Sequence, residues 1–318
     1  MSGFSFKGIL PHLLGFVIFA FILTRINVAE TAKIILKANP FYLFLAAVLV
    51  LPMLFLEALR WQFILRQLRI NYGFRDVFSM FASSLYLGTV TPARVGELVR
   101  VAFLKGEAVG RSFFSVFIDR VSDVLFLVMV GYIGMFFFAT ALEQQIFWFS
   151  IVIIGAVSSL AVVIIKRDFV RMVLRLVFSR IVPEKFRKDL KAAFYDFYRS
   201  FFLLLNLKSI AVVFVITAAS WLIYYSQVFL LARALGISIS FIHIATVVSV
   251  AGLLSSIPIS ISGIGTRDAA FVFFFGLLGI RSEFAVALSA LVLVLTVLVA
   301  VVCFPFWLKR PVDVGFLK

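Results

Sequence analysis

The chain alternates long apolar runs with short polar stretches, and the runs lack the strict two-residue alternation of barrel strands. A helix crosses a hydrocarbon core of about 30 Å with about 20 apolar residues. Segments 8–24, 40–58, 113–139, 146–165, 209–235 and 284–307 qualify within helix-boundary error. The pattern therefore predicts six transmembrane helices. The first follows Lys7 and has no small-residue cleavage signal after it, so it reads as a retained span. Two further stretches do not fit an ordinary crossing. Residues 77–92 are short and rich in Ser, Thr, Gly and Pro. Residues 241–280 form two pieces broken across Pro258-Ile259-Ser260-Ile261-Ser262-Gly263-Ile264-Gly265. The second piece, Ala269 to Ile280, reaches only about 18 Å as a helix. Both regions are predicted to be re-entrant or broken helices.

The order of elements repeats. Residues 1–139 read span, span, broken segment, span, and residues 140–318 give the same order. Three crossings per half make the second half enter from the opposite side. The expected fold class is an all-α polytopic integral membrane protein with six full spans and two broken segments, arranged as an inverted-topology repeat. Paired discontinuous helices in such repeats build central sites reachable from both membrane faces.

Composition strengthens the membrane reading. Hydrophobic residues make up 64% of the chain and charged residues 14%, against about 25% charged in a soluble domain. The 40 Phe residues are read as lipid-facing and packing material. The formal charge of +15 would suggest nucleic acid in a soluble protein. Here the basic residues sit between apolar runs, as expected of cytoplasmic loops facing anionic headgroups, so no nucleic-acid partner is expected. Segment 166–208 carries eleven basic and four acidic residues and reads as a cytoplasmic amphipathic helix on the inner leaflet. Both termini then come out cytoplasmic, in the inner (cell) membrane. Segment 25–39 should be external yet holds Arg25, Lys33 and Lys37, and is expected to be a short interfacial helix. One cysteine, Cys303, and two histidines, His12 and His243, offer neither disulfide nor metal site, and no cofactor is expected.

The polar residues that interrupt this pattern carry the candidate chemistry. The first broken segment continues Thr91-Pro92-Ala93-Arg94-Val95-Gly96-Glu97. Pro92 ends a helix, Gly96 allows close backbone approach, and Arg94 and Glu97 are spaced to pair. The second ends Gly263-Ile264-Gly265-Thr266-Arg267-Asp268, with Pro258 upstream. A guanidinium fork matches phosphate oxygens, and a freed helix N-terminus favours an anion. Two such devices suit a lipid phosphate, or each arginine only salts its neighbouring acid. Asp119, Arg120 and Asp123 lie inside the span 113–139, where charges need a partner or a wet cavity. They read as a coupling site or as structural ion pairs to Arg94 or Arg60. Glu57 and Arg60 close the second span with Trp61, read as ion-pair partners beside an interface anchor. His243 reads as a hydrogen-bonded histidine.

Pro92-x-Arg94-x-Gly96-Glu97, Asp119-Arg120-x-x-Asp123 and Pro258 with Gly263-x-Gly265-x-Arg267-Asp268 occur in order along nearly the whole chain. In this the sequence resembles the flippase-like family named for the transmembrane region of lysylphosphatidylglycerol synthase. Asp268 stands where glutamate is common. The resemblance implies binding or translocation of charged or polyprenyl-type lipids. With no aminoacyl-transferase or glycosyltransferase domain before Lys318, the chain is expected to be a stand-alone membrane domain and not an enzyme. The expected substrate-binding residues are Arg94, Glu97, Arg267, Asp268, Arg60 and Glu57. The expected partners are anionic, aminoacylated or polyprenyl-type lipids, with a homodimer or a lipid-synthesising partner enzyme also open. A membrane scaffold that presents lipid to a separate synthase or glycosyltransferase is the alternative to a translocase.

Overall fold

The computed structural model describes residues 17–104, 106–138, 144, 187–204, 206–256, 260 and 263–309. The predicted span 146–165, much of the basic segment 166–208, Pro258 and both termini lie outside the described residues, as do the side chains of Pro92 and Arg94. The regular elements described are all helical. In chain order they are α1 (17–25), α2 (Val28–Leu36), α3 (Pro40–Val48), α4 (Val50–Gln67) and α5 (Phe74–Val90). A 3-10 segment, Pro92–Leu98, leads to α6 (Val99–Phe103) and α7 (Val109–Met135). The second part holds α8 (Arg187–Leu204), α9 (Leu207–Ala234), α10 (Phe241–Ser256), α11 (Thr266–Leu277) and α12 (Ser282–Lys309).

Four helical stretches are long and apolar enough to cross a membrane: Pro40–Gln67, Val109–Phe138, Leu207–Ala234 and Ser282–Lys309. They coincide with four of the six predicted spans. Their outer surfaces expose Phe44, Val215 and Val294 by 62 to 65%, an apolar exterior that only lipid covers without cost. The chain is thus a multi-pass integral membrane protein. The basic segment 25–39 contains α2, started by Asn27, whose Oδ1 accepts from the Glu30 amide at 3.0 Å.

Two boundaries differ from the sequence reading. The predicted span 40–58 runs on to Gln67, so Glu57, Arg60 and Trp61 lie within it and do not close it. No breaker stands between Leu56 and Leu68, and the charge of Arg60 is neutralised by carboxylates on α7. Pro52 is tolerated because it falls in the first turn of α4, where its missing N–H has no bond to lose. In the second broken region α11 starts at Thr266, before Ala269. Gly263 and Gly265, both at positive φ (77° and 85°), turn the chain into it, and Asp268 secures its first turn. Arg267 and Asp268 are therefore helical residues.

The break at Pro92 is as expected. Helix α5 stops at Val90, and Thr91 turns its hydroxyl to the Gly96 amide at 2.8 Å. The 3-10 segment folds back so tightly on α5 that a Cβ at Gly96 would collide with the Leu87 carbonyl.

Helix α4 packs on α9, α5 on α12, α7 on α10 and α8, and α2 on α12. Asn39 donates its amide to the Ala234 carbonyl at 2.8 Å, which joins the start of α3 to the end of α9. Arg111 reaches the Leu68 carbonyl at 3.4 Å, which joins the end of α4 to the start of α7. The bundle thus has two ends, one at Gln67 and Val109, the other at Pro40 and Ala234.

Candidate functional site

Helices α4, α6, α7 and α9 and the 3-10 segment enclose a chain of ionised side chains inside the apolar bundle. Arg60 donates from Nε to Asp119 Oδ1 at 2.8 Å. Its two terminal nitrogens fork onto both oxygens of Asp123 at 2.6 and 3.0 Å. Arg60 also donates to Thr217 Oγ1 at 3.0 Å, and Trp221 Nε1 donates to Asp123 at 3.0 Å, so α9 completes the cage. Arg100 bridges Asp119 at 2.7 Å and Glu97 at 3.0 Å. Arg120 pairs with Glu97 and reaches Asp123 at 3.5 Å. Three guanidinium groups thus meet three carboxylates. Such a set is tolerated in hydrocarbon only because each charge finds an opposite one and most hydrogen-bonding positions are used.

The network has a sealed end and an open end. Arg60, Arg100 and Asp119 are fully buried, and Arg100 lies over the rings of Trp61 and Phe81, 5.2 and 5.1 Å from their centres. Trp61 is itself fully buried and donates to Ser115 at 3.3 Å, so it is not the interface anchor predicted for it. Its indole is needed as a face for Arg100. The side chain of Arg120, by contrast, is 32% exposed and that of Asp123 12%. Arg60 stands seven residues from the end of its span at Gln67, about 10 Å along a helix.

Glu57 lies beside the network, under the influence of Asp123, Arg60, Arg120 and Asp119. The motif arginine expected to pair with it, Arg94, has its side chain outside the described residues. Asp119 and Asp123 tie α7 to Arg60, as one of the two readings had it, whereas Arg120 turns to Glu97 on the 3-10 segment. Glu97 engages Arg100 and Arg120. The side chain of its predicted partner Arg94 lies outside the described residues.

The second-half residues form a separate polar point. Arg267 is 7% exposed and donates from Nε to Ser289 Oγ on α12 at 2.8 Å. Asp268 accepts the Gly265 amide at 2.7 Å. It thereby takes up one of the N-terminal donors that the sequence reading reserved for an anion. Ser260 and Thr266 hydroxyls meet at 2.9 Å under the turn. Ser289 is seven residues from the start of α12, again about 10 Å, but measured from the opposite end of the bundle. His243 is hydrogen-bonded to Ser240 at 2.5 Å, as expected.

The sequence reading missed Arg100. Its spacing from Glu97, one 3-10 or helical turn, is the signal that could have found it. Thr217 and Trp221 carried no such signal, because they look like ordinary residues of an apolar span.

An all-helical, multi-pass membrane bundle with an ion network inside it is the class of protein these observations define. The chain belongs to the family described as the lysylphosphatidylglycerol synthase TM region, whose model matches residues 8–303. A UPF0104 membrane protein of Methanothermobacter thermautotrophicus is 27% identical over 88% of each chain. Another from Methanocaldococcus jannaschii is 22% identical over 90% of this chain and 89% of its own. A third, from Pyrococcus horikoshii, is 25% identical over 57% of this chain and 58% of its own.

Proposed function

We propose that the protein is a lipid translocase that takes a charged headgroup into its polar interior and passes it between leaflets. The observation that carries this reading is the buried network with Arg120 at its open end. A structural staple needs no exposed guanidinium. A headgroup phosphate is the ligand that a planar guanidinium fork matches, and it can take the place of Glu97 or Asp123 on Arg120. Arg60, Arg100 and Asp119 then hold the cage rigid while the outer pairs exchange. Arg94, Glu97, Glu57, Arg267 and Asp268 complete the headgroup path in this proposal.

An inverted repeat of residues 1–139 and 140–318 is supported by the packing. Exchanging α4 with α9, α5 with α10 and α7 with α12 turns the contact of α5 with α12 into that of α7 with α10. The same exchange relates α4–α5 to α9–α10, α4–α7 to α9–α12 and, with α2 set against α8, α2–α12 to α8–α7. On the exchanged helices α7 and α12, Asp119 and Ser289 stand within the first three turns, measured from opposite ends of the bundle. Alternating exposure of the two halves is the mechanism such a repeat suits. In this proposal the protein sits in the cell membrane with both termini cytoplasmic.

Reconstitution into liposomes tests the reading. Purified protein alone should move a fluorescent anionic or aminoacylated lipid between leaflets, and Arg120→Gln should abolish the movement. No movement by the wild type without a partner would instead favour the scaffold that presents lipid to a separate enzyme.

A further inference from the structure

At the Pro40 and Ala234 end of the bundle, away from the ion network, α2 and the start of α12 line an open cavity of about 550 Å³. Its apolar floor is Ile34, Leu235 and Phe284, and its rim carries Lys33, Lys37 and Arg281. Three cations there face a single lining carboxylate, Glu30, which is already bound to Arg281 at 2.6 Å. Arg281 is further held over the Phe284 ring, 5.2 Å from its centre. The neighbouring Glu283 faces the Asn27 amide at 3.5 Å. Among the described residues, neither Lys33 nor Lys37 meets a carboxylate within ion-pair distance.

This arrangement favours an anionic ligand. Like charges four residues apart repel on a helix surface, and Lys33 and Lys37 are such a pair. Both stand on the wall of one cavity, with a fixed guanidinium across from them. An apolar floor beneath a basic rim has the form of a lipid headgroup and its first chain carbons. The volume falls within the range of about 300–1,000 Å³ typical of small-molecule sites.

We infer that this cavity binds a phosphoryl group, with Lys33, Lys37 and Arg281 on its oxygens and Ile34, Leu235 and Phe284 under the group it esterifies. It rests on the lipid reading for its role, as the place where a headgroup docks at the membrane face opposite the network. It also explains why a basic segment lies at that end, where the distribution of Lys and Arg alone would not put one.

Photocrosslinking with a diazirine-bearing phosphatidic acid, followed by peptide mapping of the intact protein, tests it. Wild type should label within 28–37 and 281–284, and a zwitterionic phosphatidylcholine analogue should label there about ten-fold less. Lys33→Glu with Lys37→Glu should lower phosphatidic acid labelling about ten-fold, the scale expected when charge-assisted hydrogen bonds to phosphate are removed. Lys208→Glu, at the other end, should leave it unchanged. Protection by inorganic phosphate would make the ligand a free anion. Protection only by short-chain phosphatidic acid would make it a lipid. Arg120→Gln should keep this labelling even if it stops translocation, which separates failure here from failure of the transport reading. Absence of label from α2, or equal label in the lysine variant, overturns the inference.

Discussion

Arg60 on α4 grips Asp123 on α7 with two hydrogen bonds, 2.6 and 3.0 Å, deep inside a bundle whose outer surface is apolar. That fork and its neighbours determine how the first half of the protein is held together.

Replacing Arg60 by Met leaves buried Asp119 with Arg100 and Asp123 with the more distant Arg120 as their cationic partners. Removing one partner of a buried pair costs about 3–5 kcal/mol, so the variant should unfold at a much lower temperature in detergent. Adding Asp123→Asn removes the carboxylate charge left most weakly compensated and should restore part of that loss. Thermal unfolding of both variants checks this.

Trp221→Phe deletes the indole donor to Asp123 while keeping an aromatic ring. The expected loss is about 1.5–3 kcal/mol, the range for a hydrogen bond to a charged group. A double-mutant cycle with Asp123→Ala should show coupling, since the two changes remove the same contact.

Glycine roles separate cleanly. A Cβ at Gly134 would run into the side chain of Thr246, where α7 packs on α10. Gly134→Ala should therefore destabilise by about 1–3 kcal/mol. At Gly276 nothing lies within 4 Å of an added Cβ. Gly276→Ala should be neutral or stabilising by up to about 1 kcal/mol, as helix propensity favours. Denaturation curves of the two variants should move in opposite directions or differ by at least that much.

Ser289→Ala takes away the acceptor of Arg267 Nε. In the translocase reading it should slow lipid movement in liposomes several-fold, with a stability loss of about 1–3 kcal/mol that leaves the protein folded at the assay temperature. Equal transport by the variant would remove Ser289 from the headgroup path.

Much of this was legible in the sequence because hydrocarbon leaves few options. Uninterrupted apolar runs mark four of the spans, and Pro92 marks the break after α5. The depth of Glu57 and Arg60 was not legible. A charged pair after an apolar run looks like a span end, and only Asp119 and Asp123, some sixty residues on, make an interior position tolerable. Trp61 misled for the same reason. Tryptophan near a charged residue usually marks the headgroup level, whereas here it supports Arg100. Asp268 reads in the sequence as a headgroup-binding residue, and its second task, accepting the Gly265 amide at the start of α11, shows only in the backbone. The convergence of Glu97, Arg100 and Arg120 depends on a 3-10 turn whose direction no periodicity encodes.

The central claim is that the partly exposed guanidinium of Arg120, at the open end of an otherwise sealed ion network, receives a lipid headgroup. The most direct measurement is photocrosslinking of a phosphate-bearing lipid to wild type and Arg120→Gln, read at peptides of α7 and the 3-10 segment. Label at those peptides in the wild type, absent from the variant while its unfolding temperature holds, is the expected result. Undiminished label in Arg120→Gln, or none near α7 in the wild type, would contradict it.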